Sequence, residues 1–229
     1  VNDLGSTTPG AALEESKGVS LCLVIGAQEN ELPKPARSGL SYELFETATR
    51  GLSDTPIDDE ALGTSMLYSS GTTGQPKGIL RPLPDNPPAQ ALPMYEFLIG
   101  LWRYREDMTY LSPAPLYHSA PQAAVGLTLR KGGTVVIMER FDPEEYLRYV
   151  GQYKPSHSQL VPTMFSRMLK LPEETRVAAD LSSLEIAVHA AAPCPAKIKE
   201  QMIEWWGPII HEYYGATEGL GFAALDSHE

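Results

Sequence analysis

The run from Ser69 to Gly78, SSGTTGQPKG, consists of hydroxyl side chains, glycines and a lysine, with almost nothing apolar. Such a run buries little, so its chemistry is polar. Ser69, Ser70, Thr72 and Thr73 supply hydroxyls, Gly71 and Gly74 expose backbone N–H groups, and Lys77 adds a positive charge. That combination suits an anion, and phosphate above all. Further along, YGATEG (214–219) sets an aromatic ring, a hydroxyl and a carboxylate close together, and PAPLYHSAP (113–121) and HAAAPCP (189–195) are two more unusual turn-rich patches. The glycine run is not a Walker loop. Counting from Gly71, the second glycine position is Pro76, and Lys77 is followed by Gly78, which has no hydroxyl for a metal.

Each patch follows a predicted strand. Ser65–Tyr68 precedes the glycine run, and Asp107–Ser112 precedes PAPLYHSAP. His157–Val161 leads into the Val161-Pro162-Thr163 corner, Leu184–His189 into HAAAPCP, and Ile209–Tyr213 into YGATEG. Helices are expected over Gln122–Leu129, Thr163–Leu171 and Ala196–Trp206, with another strand at Thr134–Met138. A helix start is written at Phe141-Asp142-Pro143-Glu144-Glu145: a capping aspartate, a proline at the first position and carboxylates in the first turn. That helix should turn Tyr146, Leu147 and Val150 inward. Strand–helix alternation implies an α/β fold with a largely parallel sheet covered by helices. Strand-to-helix turns in such a sheet gather at one rim, where ligands bind.

Ahead of this region, residues 1–18 read as a loosely held lead-in, VSLCLVI (19–25) as a strand, and SYELFETATR (41–50) as a helix capped by Ser41. Five prolines between Pro82 and Pro93 predict irregular chain until a helix begins near Met94. The absence of an initiator Met at Val1 predicts a cut or processed start.

With 229 residues and a net charge of -11, the chain argues against a nucleic-acid or anionic-membrane surface. A phosphate site must therefore be local. Two cysteines, Cys22 and Cys194, make no disulfide framework and fit a reducing, cytoplasmic setting. No apolar run approaches the roughly 18–20 residues of a membrane span. No Cys/His spacing resembles a metal site, so His157, His189 and His211 read as structural, and Met164, Met168 and Leu171 as core.

SSGTTGQPKG together with YYGATEG resembles the signature pair of the adenylate-forming superfamily, which includes acyl-CoA synthetases, peptide-synthetase adenylation domains and firefly luciferase. The resemblance spans about residues 19–229 and leans toward fatty-acyl CoA ligases. It implies part of the large N-terminal domain of such an enzyme. The activity implied is joining a fatty-acid-type carboxylic acid to ATP, with Mg²⁺, as an acyl-adenylate, then passing the acyl group to CoA.

The resemblance also assigns roles. Thr72, Thr73 and Lys77 would hold the β- and γ-phosphates, with Ser69, Ser70, Gly71 and Gly74 shaping the loop. Thr217 would touch the α-phosphate and Glu218 would ligate Mg²⁺. Tyr214, beside Gly215, would stack on adenine opposite Ala191, Ala192 and Pro193, and His118 would stand near the reacting carboxylate. The family's ribose-binding aspartate, hinge and lysine-bearing C-terminal domain have no counterpart in these residues, nor does its longer N-terminal region. The resemblance thus implies a central segment, weak or inactive alone. A peptide-synthetase-type adenylation domain and a non-catalytic nucleotide-binding module remain open alternatives.

Overall fold

The computed structural model describes residues 12–13, 15–35, 37–69, 74–219 and 221–228, which fall into two compact units divided at Asp59 and Glu60. The first unit pairs β1 (Leu21–Val24) in parallel with β2 (Ser41–Leu44), followed at once by a short helix, α1 (Phe45–Ala48). Its connection is held by Arg37, whose guanidinium donates to the carbonyls of Leu13, Ser16 and Val19. At Gly26, with φ of 70°, the chain turns and its N–H donates to the Glu46 carboxylate at 3.1 Å. The helix expected from Ser41 is therefore corrected. Ser41 donates its N–H to Ser20 O at 2.9 Å as the first rung of a parallel ladder, and only Phe45–Ala48 is helical. The apolar spacing of Leu44, Phe45 and Ala48 imitates a helix face, but the pairing with β1 takes the first half.

In the second unit a hairpin comes first. β3 (Leu67–Ser69) pairs antiparallel with β4 (Lys77–Ile79), so the glycine run joins two strands of a ribbon separate from the main sheet. This corrects the expectation that all five patches share one sheet. The stretch 80–92 is irregular, as its prolines dictate, and α2 (Pro93–Leu101) starts with its proline in the first turn.

The main sheet then builds from β5 (Thr109–Ser112), α3 (Ser119–Arg130), β6 (Thr134–Ile137), α4 (Pro143–Tyr153), β7 (His157–Leu160), α5 (Pro162–Met168), α6 (Glu173–Ala178), β8 (Ile186–His189), α7 (Ala196–Trp206), β9 (Ile210–Gly215) and β10 (Phe222–Leu225). The strand order is β10-β9-β8-β7-β5-β6, parallel except for β10, which returns antiparallel along β9. The chain runs outward from β5 to β6, then comes back to lay β7 on the other side of β5. That reversal splays the loops after β5 and β7 apart and opens a crevice at the carboxyl ends of the strands.

Side-chain alternation sends neighbours to opposite layers. Tyr110 and Leu111 in β5, and Ile186 and Ala187 in β8, divide between two buried clusters. One cluster holds Ala124 and Leu127 of α3 with Trp102 and Tyr104. The other gathers Tyr146, Leu147 and Val150 of α4, Phe165 and Met168 of α5, and Met202 and Trp206 of α7. Full burial of each large apolar side chain contributes roughly 1.5–3 kcal/mol. The expected start of α4 is present: Asp142 Oδ1 accepts from the N–H groups of Glu144 and Glu145, each at 3.0 Å. Gly133 has no room for a side chain, since a Cβ there would stand 2.9 Å from the Met108 carbonyl oxygen, where the chain crowds β5 before entering β6.

Candidate active-site cleft

The crevice at the strand ends is a cleft of about 1170 Å³. Its apolar wall comes from two helices: Met94, Tyr95 and Leu98 on α2, and Pro121, Ala123, Gly126 and Leu127 on α3. Its polar wall comes from strand ends and turns: His118 after β5, Gln159 on β7, Ala190 and Ala191 after β8, Gly215 at the end of β9, and Ala216 through Gly219 after it. At Gly126 an added Cβ would meet nothing within 4 Å, so this glycine leaves bore in the helix wall.

The turn after β9 is tight. Gly219 N–H donates to Ala216 O at 2.9 Å, and Gly219 takes a φ of 76°. Thr217 and Glu218 occupy the middle of this turn and face the cleft. From the hairpin side, Arg81 Nη2 donates to the Thr217 carbonyl at 2.7 Å. Arg81 also lines the cleft.

Deeper in the cleft, Gln159 Nε2 donates to the Tyr213 hydroxyl at 3.1 Å, joining β7 to β9 across β8. Burial pushes the Tyr213 phenol up, with the Gln159 hydrogen bond opposing that shift. Tyr213 in turn stacks on Phe222 of β10 at 5.2 Å. On the rim, Ala191 has a φ of 75°. A left-handed residue with a side chain costs roughly 1–2 kcal/mol, so the bend after β8 is held against a local preference. His118 stands at the N-terminus of α3 with its ring 4.5 Å from that of Tyr117, exposed to the cleft mouth.

Of the residues expected to act together, the cleft collects His118, Ala191, Gly215, Thr217 and Glu218. Gly74, Lys77, Ala192, Pro193 and Tyr214 stand outside its wall. Lys77 is exposed on the hairpin stem, opposite Ser69. Tyr214 points to the other side of β9 from Tyr213 and is 78% exposed, leaving its ring free to stack. Ser70, Gly71, Thr72 and Thr73 lie outside the described residues, as does the Ser69 side chain. The sequence does not mark Arg81 as a site residue, and Tyr213 enters only as the first letter of YYGATEG. For Gln159 the signal is a polar glutamine in the strand HSQL, which is buried throughout.

Among the described residues no group of three or more His, Cys, Asp or Glu side chains could hold a metal by itself. Glu218 is a single carboxylate on the turn. That donor set fits Mg²⁺ only if the ion arrives with phosphate oxygens, as it usually does.

The histidines read as structural have ordinary structural explanations in part. His157 is buried with both ring nitrogens engaged: Nε2 lies 2.8 Å from the Trp102 carbonyl and Nδ1 lies 2.8 Å from Ser156 Oγ. Because a carbonyl only accepts, Nε2 carries the proton and Nδ1 accepts from the hydroxyl. His189 is different. It is fully buried, edge-on to Phe165, and its Nε2 is 3.7 Å from Glu212 Oε2, too far for a hydrogen bond. Glu212 is engaged instead by Lys199 at 2.8 Å. Burial holds the His189 ring below the usual histidine range, the Glu212 carboxylate opposes this, and the Lys199 ammonium adds to it. Cys194 is half-buried, and burial raises its thiol, which weighs against a nucleophilic role.

The family model described as AMP-binding enzyme matches residues 10–229. The chain is 32% identical over 227 residues to the medium/long-chain-fatty-acid–CoA ligase FadD8 of Mycobacterium tuberculosis, covering 96% of this chain and 37% of that one. It is 26% identical to the probable CoA ligase CCL5 of Humulus lupulus, covering 91% and 34%. Among solved structures, a malonyl-CoA ligase bound to methylmalonyl-CoA and AMP superposes with a TM-score of 0.70 at 26% identity, over 95% of this chain and 46% of that one. The chain thus spans about a third of the length of these curated relatives. With the glycine run, the Tyr-Gly-Ala-Thr-Glu turn and a largely parallel sheet in agreement with that match, the chain belongs to the AMP-binding family of adenylate-forming enzymes.

Proposed function

We propose that this chain forms the nucleotide and acyl cleft of an ATP-dependent acyl-CoA synthetase acting on a fatty-acid-type carboxylic acid. The observation that carries the reading is the union, in one cleft, of a polar wall bearing His118, Thr217 and Glu218 with an apolar wall made by α2 and α3. The first suits a nucleotide and a carboxylate. The second suits a hydrocarbon tail, and its Gly126 leaves width for one.

In the first half-reaction a carboxylate oxygen attacks the α-phosphorus of ATP, and the bond to pyrophosphate breaks. In the second, the thiol of CoA attacks the acyl carbonyl and AMP leaves. The protein's task in the first step is to bring two anions together and stabilise the leaving group, by position and charge rather than by a covalent intermediate. Thr217 would hydrogen-bond the α-phosphate, and His118 would orient the carboxylate where the polar and apolar walls meet. Tyr214 would stack on the adenine against the bend at Ala191, Ala192 and Pro193. The hydroxyls and amides of the glycine run, with Lys77, would cradle the β- and γ-phosphates. Mg²⁺, held by Glu218 together with phosphate oxygens, would neutralise charge on the departing pyrophosphate.

Because the chain covers only about a third of its curated relatives, the isolated residues are expected to be weak or inactive, and the full-length protein is the right subject for assay. Acid-dependent exchange of labelled pyrophosphate into ATP tests the reading. Exchange that rises from short to medium or long linear acids supports it. Exchange with amino acids alone would point to a peptide-synthetase-type domain, and ATP binding without any exchange to a nucleotide-binding module.

A further inference from the structure

A site for a polyanion in a chain of net charge -11 needs positive charge of its own. Among the described residues lining the cleft, Arg81 and Arg130 supply it. Arg130, at the end of α3, is joined through its Nη1 to Pro88 O at 2.7 Å, away from the turn after β9. Arg81 is joined to the turn that carries Thr217 and Glu218.

The acceptor of that bond matters. In the turn closed between Ala216 and Gly219, the Thr217 carbonyl belongs to the central peptide, the unit whose flip interconverts the two common turn types. A hydrogen bond to this oxygen holds the peptide in one of its two orientations. The peptide is trans, so the Glu218 N–H is aimed the opposite way, away from Arg81. Gly219 lies beside the guanidinium: an added Cβ there would stand 3.6 Å from Arg81 Nη2, an ordinary van der Waals contact. The residues joined in this way are 136 positions apart. One comes from the end of the hairpin stem, the other from the end of the main sheet.

We infer that Arg81 is a positioning residue for the nucleotide: it locks the Thr217–Glu218 peptide and places a positive charge beside it on the polar wall of the cleft. This rests on the nucleotide reading above. A lysine in its place would keep the charge but lose the planar fork. A glutamine would keep a donor and lose the charge.

The test uses the full-length protein in pyrophosphate exchange with its best acid, comparing Arg81→Ala, Arg81→Lys and Arg81→Gln. Arg81→Ala should raise the KM for ATP about tenfold or more, the scale of a lost charge-assisted hydrogen bond. The KM for the acid should stay within about twofold and, because Arg81 is exposed, the melting temperature within about 2 °C. Lys and Gln should each restore part of the ATP affinity. If Arg81→Ala does not fold, the Lys and Gln variants carry the same comparison, each with a raised KM for ATP alone. An unchanged KM for ATP in a folded variant overturns the inference. So does an equal rise for ATP and acid with a lowered melting temperature, which would make Arg81 a brace. Failure of the wild-type protein to exchange with any acid would instead bring down the nucleotide reading, and this inference with it.

Discussion

The β3–β4 hairpin and the β7–β8 pair make the most informative contrast in the second unit. Every residue of β7 and β8 is buried, and even their polar members are enclosed. On the hairpin, by comparison, Tyr68 is 67% exposed and Leu80, just beyond it, is 80% exposed. The central strands therefore carry the folding energy and set the positions of the strand ends. The hairpin leads into Arg81, which lines the cleft, while burying little. Burial and the exposed part of the cleft wall thus fall largely on different residues, which makes stability and the proposed ligand chemistry separable by mutation.

The largest effect should come from the core. Phe165 is fully buried against His189 and Trp206, with ring centroids 5.4 and 6.0 Å away. Phe165→Ala should cost about 3–5 kcal/mol in urea unfolding. Tyr68→Ala on the hairpin should stay within about 0.5 kcal/mol. Comparable losses at the two positions would erase the contrast.

Next in size is a substitution that should change chemistry and spare the fold. Glu218→Gln should reduce Mg²⁺-dependent nucleotide binding by roughly a hundredfold, as expected for removal of a charged ligand worth about 2–3 kcal/mol. AMP binding without metal should fall far less. Titration calorimetry with and without Mg²⁺ checks this, and equal losses would remove Glu218 from the metal.

Smaller still, Asp142→Ala removes the two N–H contacts at the start of α4 and should cost about 1 kcal/mol in the same unfolding assay. Stability should also depend on pH. His157, His189 and His211 are all held below the ordinary histidine range by burial. An unfolded histidine titrates near about pH 6.5, so below that point the unfolded chain takes up protons that the folded chain resists. Stability should be level above about pH 6.5 and fall as the pH drops toward the lowered folded values. His189→Phe should flatten that fall, and a slope unchanged by it would clear His189 of the effect.

The main sheet was legible because its signals are local. The proline–acid start of α4 and the apolar runs of β5 and β8 are written in a few adjacent residues. The return strand of the hairpin and β10 were not legible: β4 has only three residues, and β10 is defined by pairing with β9 rather than by its own pattern. The segment 41–50 misled because helical spacing at Leu44, Phe45 and Ala48 coexists with a strand that needs a distant partner. Of the residues lining the cleft, Thr217 and Glu218 could be picked out from their motif. Arg81 could not, since its partner is a backbone carbonyl and carries no side-chain signature.

The proposed function requires a single cleft to take a nucleotide at the strand ends and an acyl chain between α2 and α3. Titration calorimetry of the full-length protein with non-hydrolysable acyl-adenylate mimics of graded chain length tests that most directly. One-to-one binding that tightens with chain length, and in which Gly126→Leu weakens the long-chain mimics while leaving the shortest unaffected, is the expected result. No binding of any mimic, or an equal loss for short and long chains in Gly126→Leu, would contradict it.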